Sequence, residues 1–561
     1  MTCSTEEATL PGPGVLVQQA GEEGARLDSE HAGDIRGGFG TIFMHDAAPR
    51  TGWSRLKTLL AILGPGVIVM VGDNDAGAFG TYTQAAQNYG TTLVWTLLLL
   101  IPVLYVNQDM VLRLGAVTGV GHARLILERF GKFWGAFSVI DLFILNGLTI
   151  VTEFIGLTLA FDYLGIAKFW GIGISALVIM ASVSTGDLRR FERFALVLVF
   201  GSLLLVPVLL MSHPPVPQVA HDLFVPRFPV NAPVADVMLL IIAIVGTTVA
   251  PWQLFFQQSY VIDKRITPRF IPYERIDLWL GIGLIIAGAV AMMAFTAVAF
   301  KGTPEYGHFK DAGAVATGIG LHIGRTAGVF FAVALIDACI IGAAAVSLST
   351  AYAIGDVLSM RHSLHRKVGD AKGFYAVYFG LIAISAAVVL TPGAPLGLLT
   401  NAVQTLAGIL LPSATVFLLL LCNDRAILGP WANDNKTNIF TSIVIAILVL
   451  LSVILTAAVL FPAISGVHII AVLAGGSALA LLLGLGARCI DARRGPRTQQ
   501  SAAFTAADRQ SWRMPPLDRL PPLRLTLLDR TWLVVLRGYL FVAAGLVIVR
   551  IILLLVPGSA R

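Results

Sequence analysis

The stretch VMVGDNDAGAFG, Val69 to Gly80, places Asp73 and Asp75 two positions apart inside an apolar segment that begins ILGPGVIV at Ile62. A charged side chain near the centre of a lipid bilayer costs about 2.5–3.5 kcal/mol on insertion scales. Two such charges in one apolar segment therefore need a reason, and both carboxylates are expected to face protein or water rather than lipid.

An unbroken helix cannot point both carboxylates into one pocket. Residues two apart on an α-helix point about 200° away from each other. Glycines at 72, 77 and 80 bracket the two aspartates, and glycine tolerates the backbone conformations that a helix break requires. The sequence predicts an unwound segment from Gly72 to Gly77, with backbone carbonyls turned inward beside the carboxylates.

Composition identifies the class of protein. The 561 residues are 56% hydrophobic and 13% charged, with a mean hydropathy of +0.80, whereas soluble domains carry about 25% charged residues. Apolar runs long enough to cross a hydrocarbon core recur along the chain, and strand-like alternation is absent. The chain is predicted to be an all-α integral membrane protein in the lipid bilayer of the cell.

Several other classes of protein are not indicated. The net charge is +6, but the basic residues cluster in short loops between apolar runs, so no nucleic-acid partner is predicted, and no protein partner either. The cysteines show no paired spacing, which argues against a disulfide framework or a thiolate metal site: Cys3, Cys339, Cys422 and Cys489. No histidine, cysteine or carboxylate cluster has the ligand spacing of a membrane enzyme, so the chain is not expected to be an enzyme.

Hydropathy predicts twelve membrane spans and a candidate thirteenth. The predicted spans are 59–83, 92–112, 135–162, 169–186, 194–212, 234–261, 277–300, 325–356, 374–391, 395–422, 439–461 and 467–487, with the candidate at 530–556. Lys and Arg are concentrated in alternate loops, and such loops stay in the cytoplasm. The N-terminus is therefore expected to be cytoplasmic, with residues 1–55 forming a disordered tail and residues 488–529 a cytoplasmic polar segment.

The sixth predicted span contains a second interruption, in GTTVAPWQLFFQQS. Pro251 removes a backbone hydrogen-bond donor, and polar side chains crowd around it: Thr247, Thr248, Trp252 and Gln253. An ordinary proline kink is the alternative, because membrane helices tolerate proline. Two interruptions five spans apart are typical of transporters that bind their substrate between two broken helices at the bilayer midplane.

At these residues the sequence resembles the NRAMP family of divalent-metal transporters, from about Gly64 to at least Trp431. The first span of that family carries Gly-Pro, then Asp-Pro-Gly-Asn, a Gln-Ala pair and a glycine. This chain has, at matching spacing, Gly64-Pro65, Asp75-Ala76-Gly77-Ala78, Gln84-Ala85 and Gly90. Two further family patterns recur in the third and tenth spans: Glu153-Phe154-Ile155-Gly156, and Gln404 with Pro412 and Asn423-Asp424-Arg425.

The resemblance implies a leucine-transporter-like fold of two inverted five-helix repeats, here 56–212 and 213–423. Additional spans 11 and 12 would occupy 424–487, and the probable thirteenth span and C-terminus 530–561. It also implies metal binding between the broken first and sixth helices. The expected metal-binding residues are Asp75, Asp73, Thr247 and Gln404. No cofactor is expected, since the metal ion is the transported substrate.

The chain departs from the family pattern at positions that the family uses for metal binding and proton handling. The Met-Pro-His-Asn of the family's sixth span is Ala250-Pro251-Trp252-Gln253 here, and its first-span asparagine is Ala78. The thioether ligand is therefore missing, and so are the histidine and an aspartate, here Ile150, that the resemblance links to proton handling. Each retained polar residue also has a structural alternative: Asp75 could hold the break open, Gln404 could join helices, and Glu153 could form a salt bridge.

These departures favour ions that prefer oxygen ligands. A sulfur ligand favours transition metals, whereas Mg²⁺ prefers oxygen and keeps several of its waters. The pattern resembles the divergent branch of NRAMP-related magnesium transporters more than the iron and manganese transporters of the family. We therefore expect transport of Mn²⁺ and/or Mg²⁺ by alternating access, and we do not expect obligatory proton coupling. A cation-coupled transporter of amino acids or other organic solutes is the alternative, although paired aspartates would repel an anionic substrate.

Overall fold

The structure, a computed structural model, is helical almost throughout. It describes residues 24–44, 52–230, 232–392, 412–461, 466–493, 506–523, 525 and 527–555. A short antiparallel hairpin comes first, with strands β1 (Ile35–Gly37) and β2 (Gly40–Ile42). The first half of the chain then forms α1 (Trp53–Ile62), α2 (Pro65–Gly72), α3 (Ala76–Tyr89), α4 (Trp95–Thr118), α5 (His122–Phe130), α6 (Lys132–Leu164), α7 (Lys168–Val183), α8 (Leu188–Gly201), α9 (Leu205–Ser212) and α10 (Val216–Phe224).

The second half of the chain continues the helical pattern. Its helices are α11 (Val234–Thr248), α12 (Pro251–Asp263), α13 (Ile271–Phe300), α14 (Ala312–His322), α15 (Arg325–Val357), α16 (Lys372–Leu390), α17 (Pro412–Asn423), α18 (Arg425–Leu428), α19 (Asn435–Leu460), α20 (Gly466–Arg493), α21 (Ala506–Ser511) and α22 (Leu527–Leu555). The predicted all-α architecture is confirmed.

The helices are long and apolar enough for a multi-pass membrane protein. Within the described residues, 8 helices pass a length and hydropathy test for crossing a membrane, or up to 10 if each of two bent pairs is one span. The predicted spans 169–186 and 467–487 coincide with shorter apolar helices, and α22 coincides with the candidate thirteenth span. The predicted span 395–422 lies partly outside the described residues.

Two short helices form the centre of the bundle. Every residue of α2 and of α12 is buried. Helix α13 packs against α2 and α3, and α15 packs against α6 and α12. The contact between α2 and α13 is backbone to backbone, because a Cβ on Gly66 would lie 2.7 Å from the Leu278 nitrogen. Only glycine allows this approach, and it fixes α2 against the long helix beside it.

The break between α1 and α2 is held by buried charged side chains. Lys264, at the end of α12, donates to the carbonyl oxygens of Ile62 at 2.6 Å and Leu63 at 3.0 Å, and it pairs with Glu192. Asp277 accepts hydrogen bonds from the backbone nitrogens of Gly64 at 3.1 Å and Gly66 at 2.6 Å. These side chains replace the hydrogen bonds that the helix loses at the break.

The N-terminal region differs from the expected disordered tail. Residues 24–44, which we call the hairpin segment, fold into a turn and the β1–β2 hairpin, and they bury Ala25, Ile35 and Ile42. The polar, glycine-rich composition indicated disorder, but Gly37 and Gly40 allow the hairpin to lie directly against α1. The expectation of a disordered tail is therefore wrong for residues 24–44.

The polar segment near the C-terminus packs on the same face as the hairpin segment. Trp512 and Met514 are buried. Met514 donates its backbone N–H to Val117 at 3.2 Å and accepts one from Ala25 at 3.1 Å. Segments from both ends of the chain therefore cover one end of the helix bundle.

The buried charges around Lys264 lead to a prediction about thermal stability. Lys264 is fully buried beside three buried carboxylates, Glu192, Glu274 and Asp277. Removing the cation leaves those charges uncompensated, at a cost of about 3–5 kcal/mol. We expect Lys264→Met to lower the thermal unfolding midpoint of the detergent-purified protein clearly, while Lys301→Met, at an exposed lysine, leaves it unchanged. Equal midpoints for both variants would contradict this role.

Candidate metal site

The first membrane helix is interrupted where the two aspartates lie. Helix α2 ends at Gly72 and α3 begins at Ala76, so Asp73, Asn74 and Asp75 lie outside regular helix. Asp75 caps α3: its backbone is extended, and its Oδ1 accepts a hydrogen bond from the Ala78 nitrogen at 2.9 Å. The predicted interruption is present, and its local cause is an aspartate in the position that helix N-termini favour.

The second interruption lies between α11 and α12, at Val249 and Ala250. Ala250 has an extended backbone, and Pro251 is the first residue of α12. Proline suits this position because the first residue of a helix has no intrahelical partner for its N–H. Pro251 therefore begins a new helix, and the alternative of a simple kink within one helix does not apply.

The two interruptions meet in the structure. A Cβ on Gly72 would lie 3.6 Å from the Trp252 ring, so the end of α2 packs on the start of α12. A Cβ on Gly77 would lie 3.1 Å from Asp75 Oδ1 and 3.4 Å from Thr247 Oγ1. The missing side chain of Gly77 therefore leaves a small space bordered by two of the oxygens that the sequence predicts as ligands.

Asp73 is the unusual charge in this region. It is fully buried, and neither carboxylate oxygen has a hydrogen-bond partner among the described residues. Its neighbours are the carboxylate of Asp75 and the side chain of Gln253, whose Nε2 also lacks a partner. A buried carboxylate that interacts with the neutral amide of Gln253 and lies beside a second carboxylate is unfavourable, and a cation placed between the two carboxylates would relieve both costs.

Gln253 is held on its other side by a second glutamine. Its Oε1 accepts a hydrogen bond from Gln108 Nε2 at 3.2 Å, and both residues are buried. This bond orients the Gln253 amide on the first turn of α12. The structure thus brings Gln253, which the sequence analysis placed at the second interruption, next to Asp73.

Glu153 lies directly behind the first interruption. Its Oε2 accepts a hydrogen bond from the Ala76 nitrogen at 3.2 Å, and its other oxygen has no partner among the described residues. Within the same residues it forms no ion pair with lysine or arginine, so the salt-bridge alternative is not supported there. Glu153 instead satisfies a free backbone N–H at the start of α3 and adds a third carboxylate near Asp75.

One contact was not predicted from the sequence. The Tyr82 hydroxyl lies 2.7 Å from Thr248 Oγ1, and both side chains are fully buried. The contact joins α3 to α11, which are the continuations of the two broken helices. Tyr82 follows Asp75 by seven residues and so lies on the same helix face, which is the signal that would have identified it.

The site is more open on one side than on the other. Positions 80 and 246 have no atom within 4 Å of an added Cβ, and Gly77, Thr247 and Ala250 are partly exposed. In the opposite direction, every residue of α2 and α12 is buried. The less buried side of the site therefore lies between α3 and α11, away from the face covered by the hairpin segment, and we call it the open side.

The donor set consists of oxygen and amide groups. Ala78 is buried and Ala250 is partly exposed, and neither adds a ligand atom on its side chain. Among the described residues, no group of three or more histidine, cysteine, aspartate or glutamate residues has the arrangement of a metal site. Gln404 lies outside the described residues. Two carboxylates with neutral oxygens and water are suited to hard divalent cations.

Comparison with known proteins identifies a family and individual relatives for this chain. Residues 66–458 match the family described as "Nramp: Natural resistance-associated macrophage protein-like". A divalent metal cation transporter MntH of Ralstonia nicotianae is 30% identical over 402 residues, covering 68% of this chain and 87% of the relative. The MntH protein of Aeromonas hydrophila is 26% identical over 418 residues, covering 70% of this chain and 94% of the relative.

Solved structures share the fold. A crystal structure of the Eremococcus coleocola manganese transporter matches with a TM-score of 0.59 at 20% identity, covering 80% of this chain and 98% of that one. The leucine-transporter-like helical fold is thereby confirmed. The match to the family extends over most of the chain, and it includes both interrupted helices and the third-span glutamate. This chain belongs to the Nramp family of membrane transporters.

Proposed function

We propose that this protein moves divalent metal cations across the cytoplasmic membrane by alternating access, with the ion bound at Asp75. The observation that carries the proposal is the buried aspartate pair at a helix break, in which Asp73 has no hydrogen-bond partner among the described residues. The names of relatives, divalent metal cation transporter MntH, support this substrate class. Members of this family are transporters, which agrees with the expectation that the chain is not an enzyme.

The proposed ligands come from both interrupted helices. Asp75 provides a carboxylate oxygen, and Thr247 provides its hydroxyl or carbonyl, because both border the space above Gly77. Asp73 binds directly or through water, and Gln404 completes the set from the tenth span. The ion is transported substrate and not a resident cofactor.

The proposed ions are Mn²⁺ and Mg²⁺. The alanines at 78 and 250 leave no sulfur ligand, and they leave room for an ion that keeps part of its hydration shell. The additional carboxylate of Asp73 strengthens the preference for hard ions. Transport of manganese is supported by the similarity to the manganese transporter of Eremococcus coleocola.

The proposed energy source is the membrane potential. A doubly charged cation gains about 4.6 kcal/mol for each 100 mV that it crosses. Trp252 and Ile150 stand at the positions that the resemblance links to proton handling, so uptake is proposed to proceed without obligatory proton coupling. Glu153, a buried carboxylate beside Asp75, is the proposed proton or structural carboxylate of the site.

The proposed arrangement in the membrane follows from the repeats and the basic loops. Residues 56–212 and 213–423 form the two inverted repeats, and each contributes one interrupted helix to the site. The N-terminus and the hairpin segment are on the cytoplasmic side, because the basic loops lie on that side of the predicted spans. The open side of the site then faces outward.

The central prediction concerns Asp75. We expect Asp75→Ala to abolish uptake of Mn²⁺ and Mg²⁺ into proteoliposomes, measured with internal pH recorded at the same time. The matched control is Asp337→Asn, at a partly buried carboxylate on α15 that faces Gly201, and it should retain uptake. Retained uptake in Asp75→Ala would contradict the site, and uptake of an amino acid instead of metal would favour the organic-solute alternative. Acidification that follows metal entry would contradict uncoupled transport.

Ala250 makes a prediction about selectivity. Ala250→Met restores a thioether beside the site, and sulfur favours Mn²⁺ over Mg²⁺. The ratio of Mn²⁺ to Mg²⁺ uptake is therefore expected to rise in competition assays. Ala243→Met, two turns earlier on α11 and also partly exposed, is the control and should leave the ratio unchanged. The same ratio in both variants would argue against the absence of sulfur as the cause of selectivity.

Asp73 makes a second prediction about selectivity, in the same direction as that for Ala250→Met. Asp73→Asn keeps the shape of the side chain and removes one negative charge. We expect Mg²⁺ uptake to fall by about tenfold relative to Mn²⁺, which corresponds to about 1.4 kcal/mol. Asp141→Asn is the control, since Asp141 is a carboxylate on α6 that accepts a hydrogen bond from Ser413 at 3.2 Å. An unchanged Mg²⁺ to Mn²⁺ ratio in Asp73→Asn would remove Asp73 from the site.

A further inference from the structure

The hairpin segment precedes the region that matches the family, which begins at residue 66. It is nevertheless folded against the helix bundle at the end opposite to the open side of the metal site. It contacts α1, α8, the end of α12 and the connection between α15 and α16. A segment that joins four elements around one interrupted helix can control the position of that helix.

The contact with α1 is close. A Cβ on Gly37 would lie 1.8 Å from the carbonyl oxygen of Ala61, and one on Gly40 would lie 3.1 Å from the Ala61 side chain. Ala61 is in the last turn of α1, directly before the break at Leu63 and Gly64. The hairpin therefore lies on the part of α1 that would move first if the helix bent further.

The contact with α8 is polar and specific. The Gly38 nitrogen donates to Glu192 Oε2 at 2.8 Å, and the Gly38 oxygen accepts from Arg193 Nε at 2.9 Å. Arg189 donates to the Thr41 hydroxyl. Glu192 also pairs with Lys264, which holds the carbonyls at the end of α1. The hairpin thus continues the buried charge cluster that secures the break between α1 and α2.

The beginning of the segment is tied to the other repeat. The Asp28 carboxylate accepts hydrogen bonds from Arg366 Nη2 at 2.6 Å and from the backbone nitrogen of His362 at 3.0 Å. Burial would raise the pKa of the Asp28 carboxyl, but the hydrogen bonds from Arg366 and from backbone nitrogens hold it well below its usual value. Arg265, which follows α12, donates hydrogen bonds to the backbone carbonyl oxygens of Glu30 at 2.7 Å and Asp34 at 3.1 Å.

Helix α1 depends on these contacts. Most of its residues are exposed, and its main packing partners are α13 and the two hairpin strands. Its axis is bent by 47° from that of α2. The hairpin therefore adds a second tie, beside Lys264, between α1 and the elements across from it, α8 and the end of α12.

We propose that the hairpin segment is a latch on the cytoplasmic gate. When it is docked, α1 is held against α8 and the end of α12, and the cytoplasmic route to Asp75 is closed. When it undocks, α1 swings away and the bound metal can leave toward the cytoplasm. This inference rests on the proposed alternating access and on the proposed cytoplasmic N-terminus.

The test uses the full-length protein and a substitution that the hairpin cannot accommodate. Gly37→Val places a branched side chain on the Ala61 carbonyl and should displace the hairpin. Arg36→Val is the matched control, because Arg36 is the preceding residue of the same strand and is exposed. Deletion of residues 24–44 removes the latch without relying on a steric clash.

The measurement is a distance distribution between spin labels in metal-free protein in nanodiscs. Labels at Trp53→Cys and Leu358→Cys, both at exposed residues at the ends of α1 and α15, report the position of α1. A second pair, Phe43→Cys with Leu358→Cys, reports whether the hairpin has left. The background carries Cys3→Ser and Cys489→Ser, while Cys339 and Cys422 are buried.

The expected result is a shift of the α1 distance to a longer population in Gly37→Val and in the deletion variant, and an unchanged distribution in Arg36→Val. An α1 distance that stays the same after the hairpin has left, or after its deletion, would overturn the latch. A hairpin that remains docked in Gly37→Val would overturn the close contact on which it depends. Because the distances are measured without metal, failure of metal uptake by the wild-type protein is a separate outcome that concerns only the proposed function.

Discussion

A carboxylate without a counter-charge is unfavourable inside a membrane protein, and this constraint organises the centre of the molecule. Asp75 is stabilised by capping α3, so its charge is compensated in part by backbone N–H groups. Asp73 has no such donors among the described residues. The cost of holding it is tolerable in a site whose occupant is a cation, because ion and carboxylate then neutralise each other.

Each helix break is stabilised by a different residue type, which removes or satisfies the backbone groups that the break leaves without helical partners. Pro251 starts α12 without an unsatisfied N–H, and Asp75 starts α3 with a side-chain cap. The break before α2 is held by Lys264 and Asp277, which satisfy backbone groups on both sides of it. Backbone groups that the breaks leave without helical partners are thus satisfied by buried side chains.

The two sides of the site differ in how deeply they are buried. On one side, Gly77, Thr247 and Ala250 are partly exposed, and an added Cβ at positions 80 and 246 would meet no atom. On the other side, α2 and α12 are fully buried, and the hairpin segment and the residues around Trp512 cover the bundle. A transporter must close one side while the other is open, and the covering segments come from parts of the chain on either side of the region that matches the family.

The sequence by itself determined the membrane class and the two helix interruptions, because charges, glycines and a proline in apolar runs have few physical explanations, and it made Asp75 the candidate ligand. It did not determine that Glu153 supports the Ala76 nitrogen, that Tyr82 meets Thr248, or that Gly37 lies on Ala61. These contacts join residues far apart in the chain, and only the packing of the helices brings them together. The hairpin segment shows the limit most clearly: its polar, glycine-rich composition is that of a disordered tail, and its order comes from the surface of α1 and α8 on which it lies.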